Sequence, residues 1–219
     1  MNRLAIFDCD GTLVDSQHNI RAALEDCFAA HDLPVPPPEE SRRVVGLSLV
    51  EAMEALYPGG TREMHVGLAE TYKSAFQRMR ARGTIDEPLF DGVADLLDSL
   101  ESDGWLMGVA TGKSDRGLDL CLACHGLGSR FVTLQTADRH PSKPHPSMIE
   151  QAMADAGAAS ETTMMIGDTS YDIAMAGAAG VTAIGVAWGY HPPQELWAAG
   201  AHHVADHPGE VLEWARKTA

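Results

Sequence analysis

Leu4-Ala5-Ile6-Phe7-Asp8-Cys9-Asp10-Gly11-Thr12-Leu13-Val14-Asp15 opens with four apolar residues, then two carboxylates two positions apart, then a Gly-Thr turn. A short apolar run that ends in a polar loop reads as a strand buried on both faces of a parallel sheet. Residues 105–110, 131–134, 163–166 and 181–187 repeat that form, each followed by Gly, Asp, Ser or Thr. Helical patterns lie between them near 91–102, 114–124, 145–157 and 171–179, with Ser114 at an N-cap position and Pro146 at a first helical position. Strands alternating with helices predict an α/β fold, a Rossmann-like parallel sheet covered by helices.

The stretch 15–87 breaks this rhythm. It offers no strand, and its helical segments near 16–31, 48–57 and 61–82 are separated by Pro34-Val35-Pro36-Pro37-Pro38 and by Pro58-Gly59-Gly60. The expected organisation is therefore a core from 1–14 and 88–219 with a helical subdomain, 15–87, inserted after the first strand. The polyproline turn reads as a stiff connector rather than a recognition motif. Hinges are expected near 14–16 and 85–90.

Composition narrows the function. A chain of 219 residues is long enough to build a core without disulfide staples. Its 16 Lys+Arg against 31 Asp+Glu leave a net charge of −15, which disfavours nucleic acid as a partner. A small phosphorylated ligand remains open, because a metal ion and a few donors outweigh the global field locally. No apolar run reaches the ~20 residues of a membrane span, and acids at Asp8 and Asp10 come too early for a signal peptide. With four cysteines in no framework spacing, a cytoplasmic setting is expected.

Two anions in one small pocket are costly unless a cation compensates or one carboxyl stays protonated. Mg²⁺ with oxygen ligands meets that requirement at Asp8 and Asp10. A surface Asp turn closing a strand is the bland alternative. Three further strand ends bear on the choice. Thr111-Gly112-Lys113-Ser114 supplies a hydroxyl and backbone N–H groups for a phosphate. Lys143-Pro144 supplies an ammonium, and Gly167-Asp168-Thr169-Ser170-Tyr171-Asp172 adds two more carboxylates. Ligands of open α/β sheets bind at the carboxyl ends of strands, so these groups can converge on one site.

In this order and spacing, Asp8-Cys9-Asp10-Gly11-Thr12-Leu13, Thr111, Lys143-Pro144 and Gly167-Asp168 through Asp172 resemble the four motifs of the haloacid dehalogenase-like superfamily. The helical insertion resembles the cap of its phosphoglycolate phosphatase-like and β-phosphoglucomutase-like branch. The resemblance implies a Mg²⁺-dependent phosphatase acting on a small organic phosphate monoester, 2-phosphoglycolate being one candidate. Asp8 would attack phosphorus and become an aspartyl phosphate, and Asp10 would serve as general acid and then base. Thr111, Gly112 and Lys143 would bind the phosphoryl group. The Asp8 and Asp168 carboxylates with the Asp10 backbone carbonyl would hold Mg²⁺, and Asp172 would orient that set.

Asp10 also separates branches of the resemblance. Dehalogenases lack it and the phosphonatase branch replaces it, so an oxygen leaving group is implied. A sugar phosphomutase of the β-phosphoglucomutase type is the alternative, but its arginine after a cap glycine is missing from Val45-Gly46-Leu47-Ser48-Leu49-Val50. Arg42-Arg43 could reach a substrate carboxylate or be solvated helix arginines. A signalling receiver domain, also acidic with Thr and Lys, would lack the helical insertion. Cys121-Leu122-Ala123-Cys124-His125 spells a haem attachment pattern, yet both cysteines read as buried small side chains of a helix. Cys9 is expected to pack away from both aspartates. The ten histidines show no zinc spacing, although His140 and His145 flank Lys143.

Overall fold

Apolar alternation within β1 (Asn2–Phe7) decides where the sheet sits. Leu4 and Ile6 pack on one face, Ala5 and Phe7 on the other, and all four are fully buried. The computed structural model describes residues 2–217 and contains one sheet of six parallel strands. The others are β2 (Leu106–Thr111), β3 (Thr133–Thr136), β4 (Ala158–Gly167), β5 (Thr182–Val186) and β6 (His203–Ala205). Their order is β3-β2-β1-β4-β5-β6. β1 pairs with β2 through Phe7 opposite Val109 and with β4 through Phe7 opposite Ile166. Chain order thus reverses at β1, and the carboxyl end of such a switch strand is where doubly wound sheets open a crevice.

Helices cover both faces. α5 (Val93–Ser102), α6 (Asp115–Cys124) and α10 (Pro208–Lys217) pack on the Ala5 and Phe7 side, with Leu97, Leu118 and Val211 in that core. α7 (Ser147–Ala156), α8 (Ser170–Ala179) and α9 (Pro193–Ala198) pack on the Leu4 and Ile6 side, through Ile149, Ile173 and Leu196. Ser114 caps α6 by accepting from the Gly117 N–H at 3.1 Å, as expected. Pro146 lies one residue before α7 rather than inside it.

Between β1 and α5 the chain forms α1 (Gln17–Ala30), α2 (Pro38–Arg43), α3 (Leu49–Leu56) and α4 (Arg62–Ala81). α1, α3 and α4 bury an apolar cluster of their own around Leu24, Phe28, Met53 and Leu68. α2 was not expected. The polyproline run feeds directly into it, with Pro38 pre-set at the first helical position. The chain leaves and re-enters the sheet layer along paired segments, the Asp15 N–H donating to Pro88 O at 2.8 Å and the Phe90 N–H to Leu13 O at 3.1 Å. Among the described residues no helix is long and apolar enough to cross a membrane.

Candidate active site

Asp8 stands at the end of the switch strand, still bonded to the sheet through its N–H to Ile166 O at 2.9 Å. Its Oδ1 accepts from the Cys9 N–H at 2.7 Å and faces Lys143 Nζ at 2.9 Å. Its Oδ2 is buried and has no hydrogen-bond partner. A carboxylate oxygen so placed is costly unless something outside the chain meets it. Burial pushes the Asp8 carboxyl up to about 7, against the pull of Lys143 and with the push of Asp172.

Asp168, one residue past β4, accepts from Thr12 Oγ1 at 2.8 Å and from the Tyr190 N–H at 2.9 Å. Gly11 makes this approach possible. Its φ is +86°, and a Cβ there would lie 2.2 Å from Asp168 Oδ2. Burial, with Asp8 beside it, raises the Asp168 carboxyl well above the usual range. Asp172 completes a capping box on α8: its Oδ2 accepts from the Thr169 N–H and hydroxyl, and its Oδ1 accepts from Lys143 Nζ at 2.6 Å. Burial works against the Lys143 ammonium, but Asp172 and Asp8 outweigh it and hold the lysine above its ordinary range.

Oxygens of Asp8, Asp168 and Asp172 lie within 4.8 Å of one another. Three buried carboxylates against one ammonium leave two negative charges when all are ionised, and burial first, then the neighbouring carboxylates, raises the Asp8 and Asp168 carboxyls. A divalent cation with oxygen ligands fits both the charge and the unpartnered Asp8 Oδ2.

Asp10 turns away from this cluster. Its Oδ1 accepts from Ser16 Oγ and faces Lys113 Nζ at 2.8 Å. Lys113 also meets Glu87 Oε1 at 2.9 Å, and Glu87 lies 3.6 Å from Arg80 at the end of α4. The Tyr190 hydroxyl is 3.2 Å from Ser16 Oγ and accepts from the Ser16 N–H at 3.0 Å. Tyr190 therefore braces Asp168 through its backbone and Asp10 through Ser16. Sequence reasoning missed Lys113, Glu87, Ser16 and Tyr190 as site residues. Lys113 was visible inside the Thr111 motif, whereas the other three are joined to it only by folding.

Thr111 ends β2 and Gly112 follows it. Thr111 Oγ1 accepts from the Lys113 N–H at 3.2 Å. A Cβ on Gly112 would stand 2.5 Å from Leu47 O, so this glycine lets the 46–47 loop come down onto the sheet edge. Asp8, Asp10, Thr111 and Gly112 floor a cavity of about 640 Å³ whose other wall comes from α1, α3 and α4. Lys143, Asp168 and Asp172 are buried and absent from its lining, with Lys143 Nζ held 2.9 Å from Asp8 Oδ1.

Several other expectations can be placed. Cys9 packs in the core 3.9 Å from Cys121 Sγ, away from the aspartates. Cys121 is buried but Cys124 is exposed, because the last turn of α6 rotates it off the core. Neither Arg42 nor Arg43 lines the large cavity. Arg43 pairs with Glu195 on the surface, and Arg42 lines a smaller recess with Trp188 and Tyr190. His140 borders the large cavity, but its nitrogens are engaged by Ser147 and Gln135, each at 2.8 Å.

Residues 5–186 match the family described as haloacid dehalogenase-like hydrolase. The chain is 35% identical over 214 residues to the probable phosphatase IndB of Dickeya dadantii, covering 97% of this chain and 93% of that one. It is 28% identical over 216 residues to a phosphoglycolate phosphatase of Vibrio parahaemolyticus, covering 96% and 95% of the two chains. A crystal structure of a hydrolase from Pseudomonas syringae, 25% identical, superposes with a TM-score of 0.86 over 100% of both chains. A parallel sheet that gathers carboxylates at its switch strand, and a match spanning most of its length, make this chain a member of the haloacid dehalogenase-like hydrolases, and within them a phosphatase.

Proposed function

We propose that the chain hydrolyses a small organic phosphate monoester in a Mg²⁺-dependent reaction, with Asp8 as nucleophile. The observation that carries this reading is Asp8 itself, a cavity-lining residue whose Oδ2 is buried and unpartnered. Asp8 attacks phosphorus and the ester oxygen leaves as an alkoxide, which Asp10 protonates. The resulting aspartyl phosphate is then attacked by water, with Asp10 taking the proton. Splitting the displacement this way leaves most of the barrier to charge stabilisation. The Thr111 hydroxyl, the Gly112 N–H and Lys143 contribute to it at the phosphoryl oxygens. The Asp8 and Asp168 carboxylates, with the Asp10 backbone carbonyl, would hold Mg²⁺, which supplies positive charge against those oxygens. Asp172 keeps Lys143 on Asp8, at 2.6 and 2.9 Å. Lys113 and Ser16 fix the Asp10 carboxylate.

Residues 15–87 act in this reading as a cap over a core of 1–14 and 88–219. The paired segments at Asp15–Pro88 and Leu13–Phe90 serve as its hinge. 2-Phosphoglycolate, which a relative's name puts forward, is the reference ester. The test is phosphate release from a panel of esters with Mg²⁺ and after chelation. Release that needs Mg²⁺ and proceeds without a bisphosphate activator is expected. Release unaffected by chelation, or isomerisation without net phosphate, would overturn the proposal.

A further inference from the structure

A two-carbon ester leaves most of the cavity unfilled. At about 640 Å³ it has room for roughly twenty water volumes of ~30 Å³ each, in the range of sites that enclose whole cofactor-sized ligands. Its far wall carries an apolar and aromatic stretch beside the charged Glu51, Arg62, Lys73 and Arg80. Tyr72 and Phe76 stand one turn apart on α4, ring centroids 5.3 Å apart and tilted by 45°. Ile20, Leu24 and Met53 extend the wall.

Ordinary core packing accounts for part of this wall, but not for Phe76. Tyr72, Ile20, Leu24 and Met53 also belong to the apolar cluster of α1, α3 and α4, whereas Phe76 belongs to none of the apolar clusters. It is half-buried, and its apolar side lines the cavity. The wall is also close to the chemistry. Asp8 and Asp10 line the same cavity as Tyr72 and Phe76, and burial, then the Asp10 carboxylate, raises the Tyr72 hydroxyl above its ordinary range. Because these residues share one cavity, an ester held at Asp8 can extend its leaving group to Phe76 and Tyr72.

We infer that the preferred ester carries a flat unsaturated ring of nucleoside size in its leaving group, seated against Tyr72 and Phe76 while its phosphoryl group meets Asp8. The inference rests on the phosphatase reading and adds the class of leaving group. Arg62, Lys73, Arg80 and Arg116 also line the cavity and offer partners for the carboxylate of 2-phosphoglycolate, but that small ester leaves the aromatic pair uncovered.

The experiment compares kcat/KM for ethyl phosphate, benzyl phosphate, 2-phosphoglycolate and the nucleoside 5′-monophosphates. All expel a primary alkoxide, so differences report the leaving-group body rather than bond cleavage. Benzyl phosphate and at least one nucleoside monophosphate should exceed both ethyl phosphate and 2-phosphoglycolate by about tenfold or more. Phe76→Ala should lower the ratio of benzyl to ethyl phosphate efficiency by about fivefold to tenfold. Phe76→Leu, which preserves bulk, should lower that ratio in the same direction. A lead for 2-phosphoglycolate over every ring-bearing ester would overturn the inference while leaving the phosphatase reading intact. An equal loss on all esters in both variants would overturn it too. Absence of release from any ester would remove the phosphatase reading and this one together.

Discussion

Replacing Lys113 by methionine removes one cation from between two carboxylates, Asp10 at 2.8 Å and Glu87 at 2.9 Å. Breaking a buried pair by deleting one partner costs ~3–5 kcal/mol, because the other charge is left uncompensated. Here the lower end applies, since the lysine side chain keeps 11% exposure and Arg80 stands 3.6 Å from Glu87. About 3 kcal/mol corresponds to a fall in Tm of roughly 6–12 °C for a chain of this length. Asp10 should also lose its fixed orientation, and proton transfer by such a group is worth about 10² to 10⁴-fold. A fall in kcat of about 10²-fold is expected on an alkyl phosphate, and a smaller one on an aryl phosphate whose leaving group needs less protonation. Adding Glu87→Gln separates the two effects: the double variant should recover part of the lost Tm by removing the stranded charge, but not the lost kcat. Thermal unfolding and phosphate release on the two esters read both quantities. A variant with wild-type Tm and kcat, or a double variant that recovers kcat together with Tm, would refute the reasoning.

Gly112→Ala would put a methyl group 2.5 Å from Leu47 O, so the 46–47 loop must retreat from the catalytic edge. A rise in KM with little change in Tm is expected, and an unchanged KM would show that the loop does not need this approach. Mg²⁺ at about 100 times its Kd should stabilise the protein by ~2.7 kcal/mol, or roughly 5–10 °C in Tm. Asp168→Asn should abolish that increment, and a retained increment would place the ion elsewhere. Tyr190→Phe removes the hydroxyl that accepts from the Ser16 N–H but keeps the backbone bond to Asp168. A loss of ~1 kcal/mol, with Mg²⁺ stabilisation intact, is the expected result in thermal unfolding. Loss of the Mg²⁺ increment would instead tie the ring to the metal cluster.

Local pattern carried the sheet well. Leu4 to Phe7 could be read as a buried strand because every residue is apolar and the acids begin at once afterwards, and the same held for the strands ending at Thr111 and Gly167. α2 escaped notice because six residues behind a proline run show too little periodicity, and the short α9 likewise. α10 was missed for a different reason: its apolar residues Val211 and Ala215 make sense only against the sheet face they cover. At the site, Asp8, Thr111 and Asp168 were legible because each ends a strand. The brace around Asp10 was not. Ser16, Glu87 and Tyr190 come from three distant segments, and only the folded chain shows that one lysine and one tyrosine hydroxyl join them. For the Arg42-Arg43 pair the sequence left substrate contact and solvated helix arginines both open, and the fold agrees with the second: both are exposed, Arg43 pairs with Glu195, and neither lines the large cavity.

Nucleophilic attack by Asp8 is most directly tested by catching its product. Quenching turnover at early times, reducing acyl phosphate with borohydride and mapping peptides by mass spectrometry should reveal homoserine at residue 8, in substrate-dependent amounts and at no other carboxylate. Full turnover with no modification at residue 8, or modification at Asp10 or Asp168 instead, would contradict the account.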